Sequence, residues 1–253
     1  MLECVSLSLS YGKRKILDNI SFTAKPGEIT VITGKNGSGK TSLLRCISGE
    51  CGFEGNITLC GKPVKEMKQR ELARAVALLP QVLPRPAVSV EALAEYGRFP
   101  YTGIAGTLSE ADRAAVRSAL EITGTDRFAS SLVCHLSGGE RQLAYFAMAI
   151  AEDCPVMLLD EPTSSLDTVY SGDVLSLIRK MRDEGRTVVI VMHDLADAVE
   201  IADRIVTLDG GRIAFDGAPA EFTSSGVPER IFRKEYVKVT DDEGRRFGVF
   251  RGI

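Results

Sequence analysis

The sequence predicts an α/β fold: a mixed sheet, an antiparallel β layer at its N-terminal end, and a helical lobe inserted into the core. Three observations carry that prediction. Two apolar runs, VMLLD at 156–160 and TVVIVM at 187–192, lack alternation, as strands buried on both faces of a parallel sheet do. EITVIT at 28–33 runs directly into glycine-rich GKNGSGKT and then into the helix-like SLLRCISG. From Ser89 to about Ala151 the pattern turns helical, between strand-like stretches on either side.

The elements follow in order. CVSLSLSY (4–11) alternates and reads as a strand; KILDNISFTA (15–24) reads as a second, stopped by Pro26-Gly27. After the glycine-rich loop and its helix come a short strand, NITL (56–59), a helix-like KEMKQRELAR (65–74) and a strand at AVALLPQ (75–81). The lobe holds SVEALAEYGRF, SEADRAAVRSALEITG and SGGERQLAYFAMAIA, with Ser109 placed as an N-cap ahead of acids in the first turn. A helix over 168–183 separates the two apolar strands, and a short one over 195–202 follows. RIVTLDGGRIAFDG (204–217) is a hairpin turning at Gly210-Gly211, and the tail holds another around Asp241–Gly244. No Pro-, Gly- or Ser-rich linker divides the chain. It is expected to form one domain over 2–253, with the lobe at about 85–151 and a C-terminal extension at 228–253.

Composition narrows the function classes. The 253 residues are 44% hydrophobic and carry a net charge of −3, so no dominant basic surface for nucleic acid is expected. MLECVSLSLSYGKRK lacks a basic region followed by a continuous apolar stretch, so no secretion signal is expected. No run of about 18 apolar residues offers a membrane span. The six cysteines form no CxxC pair and only two histidines are present; buried thiols in a reducing compartment are the expectation, not a metal centre.

GKNGSGKT fills every fixed position of a phosphate-binding loop, and it lies between a strand and a helix as such a loop must. Gly34, Asn36, Gly37, Ser38, Gly39, Lys40, Thr41 and Ser42 are the candidate nucleotide contacts. Glycines let backbone N–H groups close around phosphate, the helix start adds a positive dipole end, Lys40 reaches the β- and γ-phosphates, and the Thr41 hydroxyl holds Mg²⁺. Asp160, ending a buried strand, is the second Mg²⁺ partner, and Glu161 is placed to act as base toward a water. Tyr11 offers a face for adenine beside the cations of GKRK, or is ordinary packing. Gln81, at a strand end, is a turn residue, or a metal ligand that also orients water. His193 is structural, or contacts the γ-phosphate; His135 reads as a local cap or surface residue.

Taken together and in this order, Tyr11, GKNGSGKT, Gln81, LSGGE (136–140), VMLLDE (156–161), SLD (165–167) and His193 resemble the ATP-binding cassette (ABC) ATPase family, over roughly residues 2–216. The resemblance implies a phosphate-loop NTPase core, ATP hydrolysis with Mg²⁺, and two copies paired head to tail. It implies that Ser137, Gly138 and Gly139 contact the γ-phosphate held by the Lys40 loop of the other copy, with Asp167 across the same interface. LPQVLPRPAVSVEALAEYGRFPYTG (79–103) and the tail are similar to importer cassettes for iron chelates, haem and cobalamin. That implies two transmembrane permease subunits docking between Gln81 and Tyr101, a solute-binding protein feeding them, and a peripheral position on the cytoplasmic face of the cell membrane. A zinc or manganese importer cassette is the nearest alternative, and a soluble scaffold in iron–sulfur cluster assembly is another. Three positions depart from the family's pattern: Leu143 and Met148, where Arg is common, and Lys35, where Pro is. The first two put salt bridges of the lobe in doubt.

Overall fold

The structure, a computed structural model, describes residues 1–102, 106–164, 166–240 and 246–253. β1 (Leu2–Tyr11) and β2 (Arg14–Ala24) pair antiparallel. The alternation expected of β1 breaks where Ser6 takes φ 51°, and its register with β2 shifts between Cys4 and Leu7, between Leu7 and Leu9 and between Leu9 and Ser10. β3 (Glu28–Gly34) feeds the glycine-rich loop and α1 (Lys40–Ile47). β4 (Glu54–Leu59) returns to the free edge of β1, and β5 (Lys62–Pro63) extends that sheet, whose order is β2-β1-β4-β5.

The expected helix over 65–74 is shorter and split. Val64–Glu66 form a 3₁₀ turn, Met67 and Lys68 are extended, and α2 runs only over Gln69–Ala75. The reason is a cap: the Lys68 N–H donates to Glu71 Oε2 at 3.0 Å, which starts the helix there. β6 (Val76–Leu79) leads into the lobe, made of α3 (Val90–Tyr96), α4 (Glu110–Thr123) and α5 (Gly138–Ala151). Ser109 caps α4, as its sequence predicts, and Asp112 bonds back to the Ser109 N–H.

β7 (Val156–Asp160), α6 (Thr168–Asp183), β8 (Thr187–Val191), α7 (Leu195–Ile201), β9 (Arg204–Asp209) and β10 (Arg212–Gly217) complete the core. Its sheet runs β10-β9-β3-β8-β7-β6, parallel except for β10. Every residue of β7 and β8 is buried, which is why both read as unbroken apolar runs. One face packs on the lobe through Ile29, Met157 and Ile190; the other packs on α1 and the antiparallel sheet through Ile32, Leu158 and Val189.

That packing explains the two departures on α5. Leu143 is 3% exposed within the lobe-side core, and half-buried Met148 packs against the same cluster. A charge at Leu143 would need a buried partner. The anchoring ion pair of the lobe lies elsewhere. The buried Arg98 guanidinium bonds Asp112 (Nε to Oδ1, 3.0 Å) and the Ala151 carbonyl (2.7 Å), and it stacks on Tyr101 at 3.8 Å. The Tyr101 hydroxyl donates to the Glu152 carbonyl. GRFPY thus ties the lobe to the end of α5, and of its aromatic rings Phe99 is the exposed one.

After β10 come two elements that the sequence pattern does not announce: α8 (Pro219–Ser224), begun by Pro at its first position, and a π-helical turn over Pro228–Phe232. β11 (Lys234–Thr240) and β12 (Arg246–Gly252) pair antiparallel, and Phe250 packs with Phe222 on a third core. The predicted turn at Asp241–Gly244 lies outside the described residues, as do Ser165 and Gly103. All six cysteines are free thiols.

Candidate nucleotide site

Parallel pairing aligns the C-terminal ends of four strands. Ile32 and Asp160 both lie opposite Val191, and Leu79 opposite Leu159. The loop after β3, Gln81 after β6, Glu161 after β7 and His193 after β8 therefore emerge along one edge, the usual ligand edge of such sheets. They line a cleft of about 580 Å³ with Asn36, Gly37, Gly39, Lys40, Thr41 and Ser42; Arg14 and Ile16 of β2 form its remaining wall.

The loop is tightly seated. Gly34 has φ 149° and Gly39 φ 102°; a Cβ on Gly34 would lie 2.4 Å from the Leu208 carbonyl oxygen, and one on Gly39 2.7 Å from Leu17 Cδ2. Ser38 Oγ is buried without a hydrogen-bond partner among the described residues. Lys40, the first residue of α1, folds back so that Nζ donates to the carbonyls of Gly34 (2.9 Å) and Lys35 (3.1 Å). Burial lowers its pKa, against the pull of the Glu161 and Asp160 carboxylates.

Glu161 is held from four sides. Its φ of 52° is in the left-handed region, a strain of order 1–3 kcal/mol. Its N–H donates to the Val191 carbonyl at 3.0 Å, and its carbonyl accepts from the Ser164 hydroxyl at 2.9 Å. Its carboxylate meets the two other candidate groups: Gln81 Nε2 donates to Oε2 at 2.7 Å, and His193 Nε2 is 2.5 Å from Oε1. With the Gln81 amide nitrogen engaged there, its oxygen is the atom left for a metal.

Asp160 is 4% exposed and Oδ1 has no hydrogen-bond partner among the described residues. Burial raises its pKa, opposed by a hydrogen bond from Thr41 and by the charge of Lys40. An orphaned buried carboxylate oxygen beside a threonine hydroxyl is a hard oxygen donor set, which fits Mg²⁺.

Other sequence candidates lie outside this cleft. Tyr11, 51% exposed, ends β1 opposite Arg14. Ser137 caps α5, accepting from the Glu140 N–H and donating its own N–H to Glu140 Oε2. Gly138 is open: a Cβ there would meet nothing within 4 Å, whereas one on Gly139 would lie 2.3 Å from the Tyr170 ring. Asp167 caps α6 through the N–H groups of Val169 and Tyr170. His135 is exposed in a 3₁₀ turn. Arg14 belongs to the basic turn already conspicuous in the sequence, but nothing in the pattern of β2 singles out Ile16.

Comparison with known proteins agrees with this geometry. Residues 17–164 match the model of the ABC transporter family. The chain is 38% identical over 243 residues to the petrobactin import ATP-binding protein FpuD of Bacillus anthracis, covering 95% of this chain and 89% of that protein. It is 35% identical to the hemin import ATP-binding protein HmuV of Plesiomonas shigelloides, covering 90% of this chain and 92% of that protein. Among solved structures, an inward-facing metal-chelate type ABC transporter superposes with a TM-score of 0.86 at 26% identity, covering 100% of this chain and 97% of that one. The chain belongs to the ABC transporter family, as an ATP-binding subunit that hydrolyses ATP.

Proposed function

We propose that this subunit powers import of an iron chelate, a siderophore complex or haem, with cobalamin as the remaining member of that solute class. In this reading two copies close head to tail on ATP beneath two permease subunits, which a solute-binding protein supplies, on the cytoplasmic face of the membrane. Among the described residues no helix is long and apolar enough to cross a bilayer. The observation that carries the hydrolytic half is the contact of Gln81, Glu161 and His193 over the Lys40 loop. The solute half rests on relatives whose names record petrobactin, iron(3+)-hydroxamate and hemin import.

In the mechanism, backbone N–H groups of the loop and the start of α1 bind the phosphates, and Lys40 turns from the loop carbonyls to the β- and γ-phosphates. Thr41 and Asp160, with the Gln81 oxygen, would hold Mg²⁺, which neutralises charge on the phosphate oxygens. Glu161 accepts a proton from the attacking water. Gln81 and His193, both already bonded to its carboxylate, fix its orientation, and His193 faces the γ-phosphate once nucleotide enters. A protomer's own cleft lacks Ser137 and Gly138, whose place at a helix N-terminus suits them to close over the γ-phosphate of a second copy.

The test is reconstitution with candidate permease and solute-binding subunits taken from its own genome. ATP-dependent uptake of a ferric siderophore or haem into proteoliposomes is the expected result. Uptake of zinc or manganese instead, or the absence of any permease-dependent ATP turnover, would overturn the reading in favour of a metal-ion importer or a soluble scaffold.

A further inference from the structure

Behind the nucleotide cleft lies a second recess of about 320 Å³, lined by Gln81, Arg85, Gly138, Arg141, Gln142 and Ser164 among others. It joins the segment after β6 to the first turn of α5. Gln81 lines both this recess and the nucleotide cleft, so the two adjoin at its side chain.

The charge in the recess is unbalanced. Two guanidinium groups line it, and among the described residues neither forms an ion pair with a carboxylate. Arg141 is the more constrained. Its Nε and Nη1 are buried with no hydrogen-bond partner among the described residues, an exception to the rule that buried polar groups are paired. Burial, and after it the like charge of Arg85, hold its pKa below the ordinary arginine value. Elsewhere the chain satisfies buried arginine: Arg98 has both a carboxylate and a carbonyl. Two guanidinium groups thus line a recess that no carboxylate enters, and two buried N–H-bearing nitrogens of one of them lack an acceptor.

We propose that this recess binds inorganic phosphate, the product that ATP hydrolysis releases on the other side of Gln81. A planar guanidinium grips phosphate oxygens in pairs, and two of them match a multiply charged tetrahedral anion better than a singly charged carboxylate. The recess would receive phosphate as Gln81 moves away from Glu161 and hold it next to the start of α5, outside the Lys40 loop.

The experiment is equilibrium dialysis of radiolabelled inorganic phosphate against the full chain saturated with ADP and Mg²⁺, so that the Lys40 loop is already filled. The wild type binds phosphate at millimolar concentration. Arg85 is exposed, so Arg85→Ala and Arg85→Glu leave the core intact; Arg85→Ala weakens phosphate by at least about tenfold and Arg85→Glu abolishes it. Arg141→Ala, with its fold checked by circular dichroism, gives a loss as large as that of Arg85→Ala. Acetate at matched ionic strength fails to displace the label. Unchanged phosphate binding in both Arg85 variants, no binding by the ADP-loaded wild type, or displacement by acetate as effective as by unlabelled phosphate would each overturn the proposal.

Discussion

Gly138 and Gly139 are adjacent in sequence and differ in what they face. Gly139 lies against the Tyr170 ring, so Gly139→Ala forces a clash inside the protomer and costs about 1–3 kcal/mol, read from urea unfolding. Gly138 faces open space, so Gly138→Ala introduces no clash and leaves unfolding without the cost seen at Gly139. The sequence marks both as one glycine pair; only tertiary packing separates them. The same limit applies to Leu143, which looks like a missing charge in the motif and is a core residue in the fold. Lys40, Thr41, Asp160, Glu161, Gln81 and His193 were legible because their identities are tied to chemistry at strand ends. Their mutual contact was not, since it depends on the register that aligns β6, β7 and β8.

At the scale of elements, the lobe hangs on the Arg98–Asp112 pair. Arg98→Ala leaves the buried Asp112 carboxylate without its cation and should cost about 3–5 kcal/mol in chemical denaturation. The end of α5 adds a pH dependence. Burial pushes the Glu152 carboxyl from 4.5 up to about 8. The folded chain therefore binds this proton more tightly than the unfolded chain. Its contribution is fully present below pH 4.5 and is lost as pH rises through about 8. The loss is at most about 1.4 kcal/mol per pH unit. Glu152→Gln flattens the stability profile across that window, measured as urea midpoints at several pH values. Caps made these elements readable: Ser109 and Asp112 announce α4 because a reciprocal cap is local chemistry. The 65–74 stretch misled because strong helix formers run unbroken through Met67 and Lys68, where the Glu71 cap places the true start. α8 and the π-helical turn gave little signal because each is short and held by the aromatic core around Phe222 rather than by its own pattern.

At the scale of the molecule, one sheet with two buried faces brings four strand ends to a single cleft, and leaves Ser137 and Gly138 on a different surface. That separation is what makes a second copy necessary in the proposed mechanism. In that proposal ATP is the adhesive between copies, and hydrolysis with Glu161 as base releases them. The most direct measurement is sedimentation of Glu161→Gln with and without ATP, beside the double variant Glu161→Gln with Gly138→Asp. The added Asp side chain enters open space at a helix start, so the protomer folds and binds ATP as before, but its carboxylate repels a γ-phosphate presented by a partner. Glu161→Gln should sediment as an ATP-dependent dimer and the double variant as a monomer at the same ATP occupancy. A double variant that dimerises as well as Glu161→Gln, or a Glu161→Gln chain that stays monomeric at saturating ATP, would contradict it.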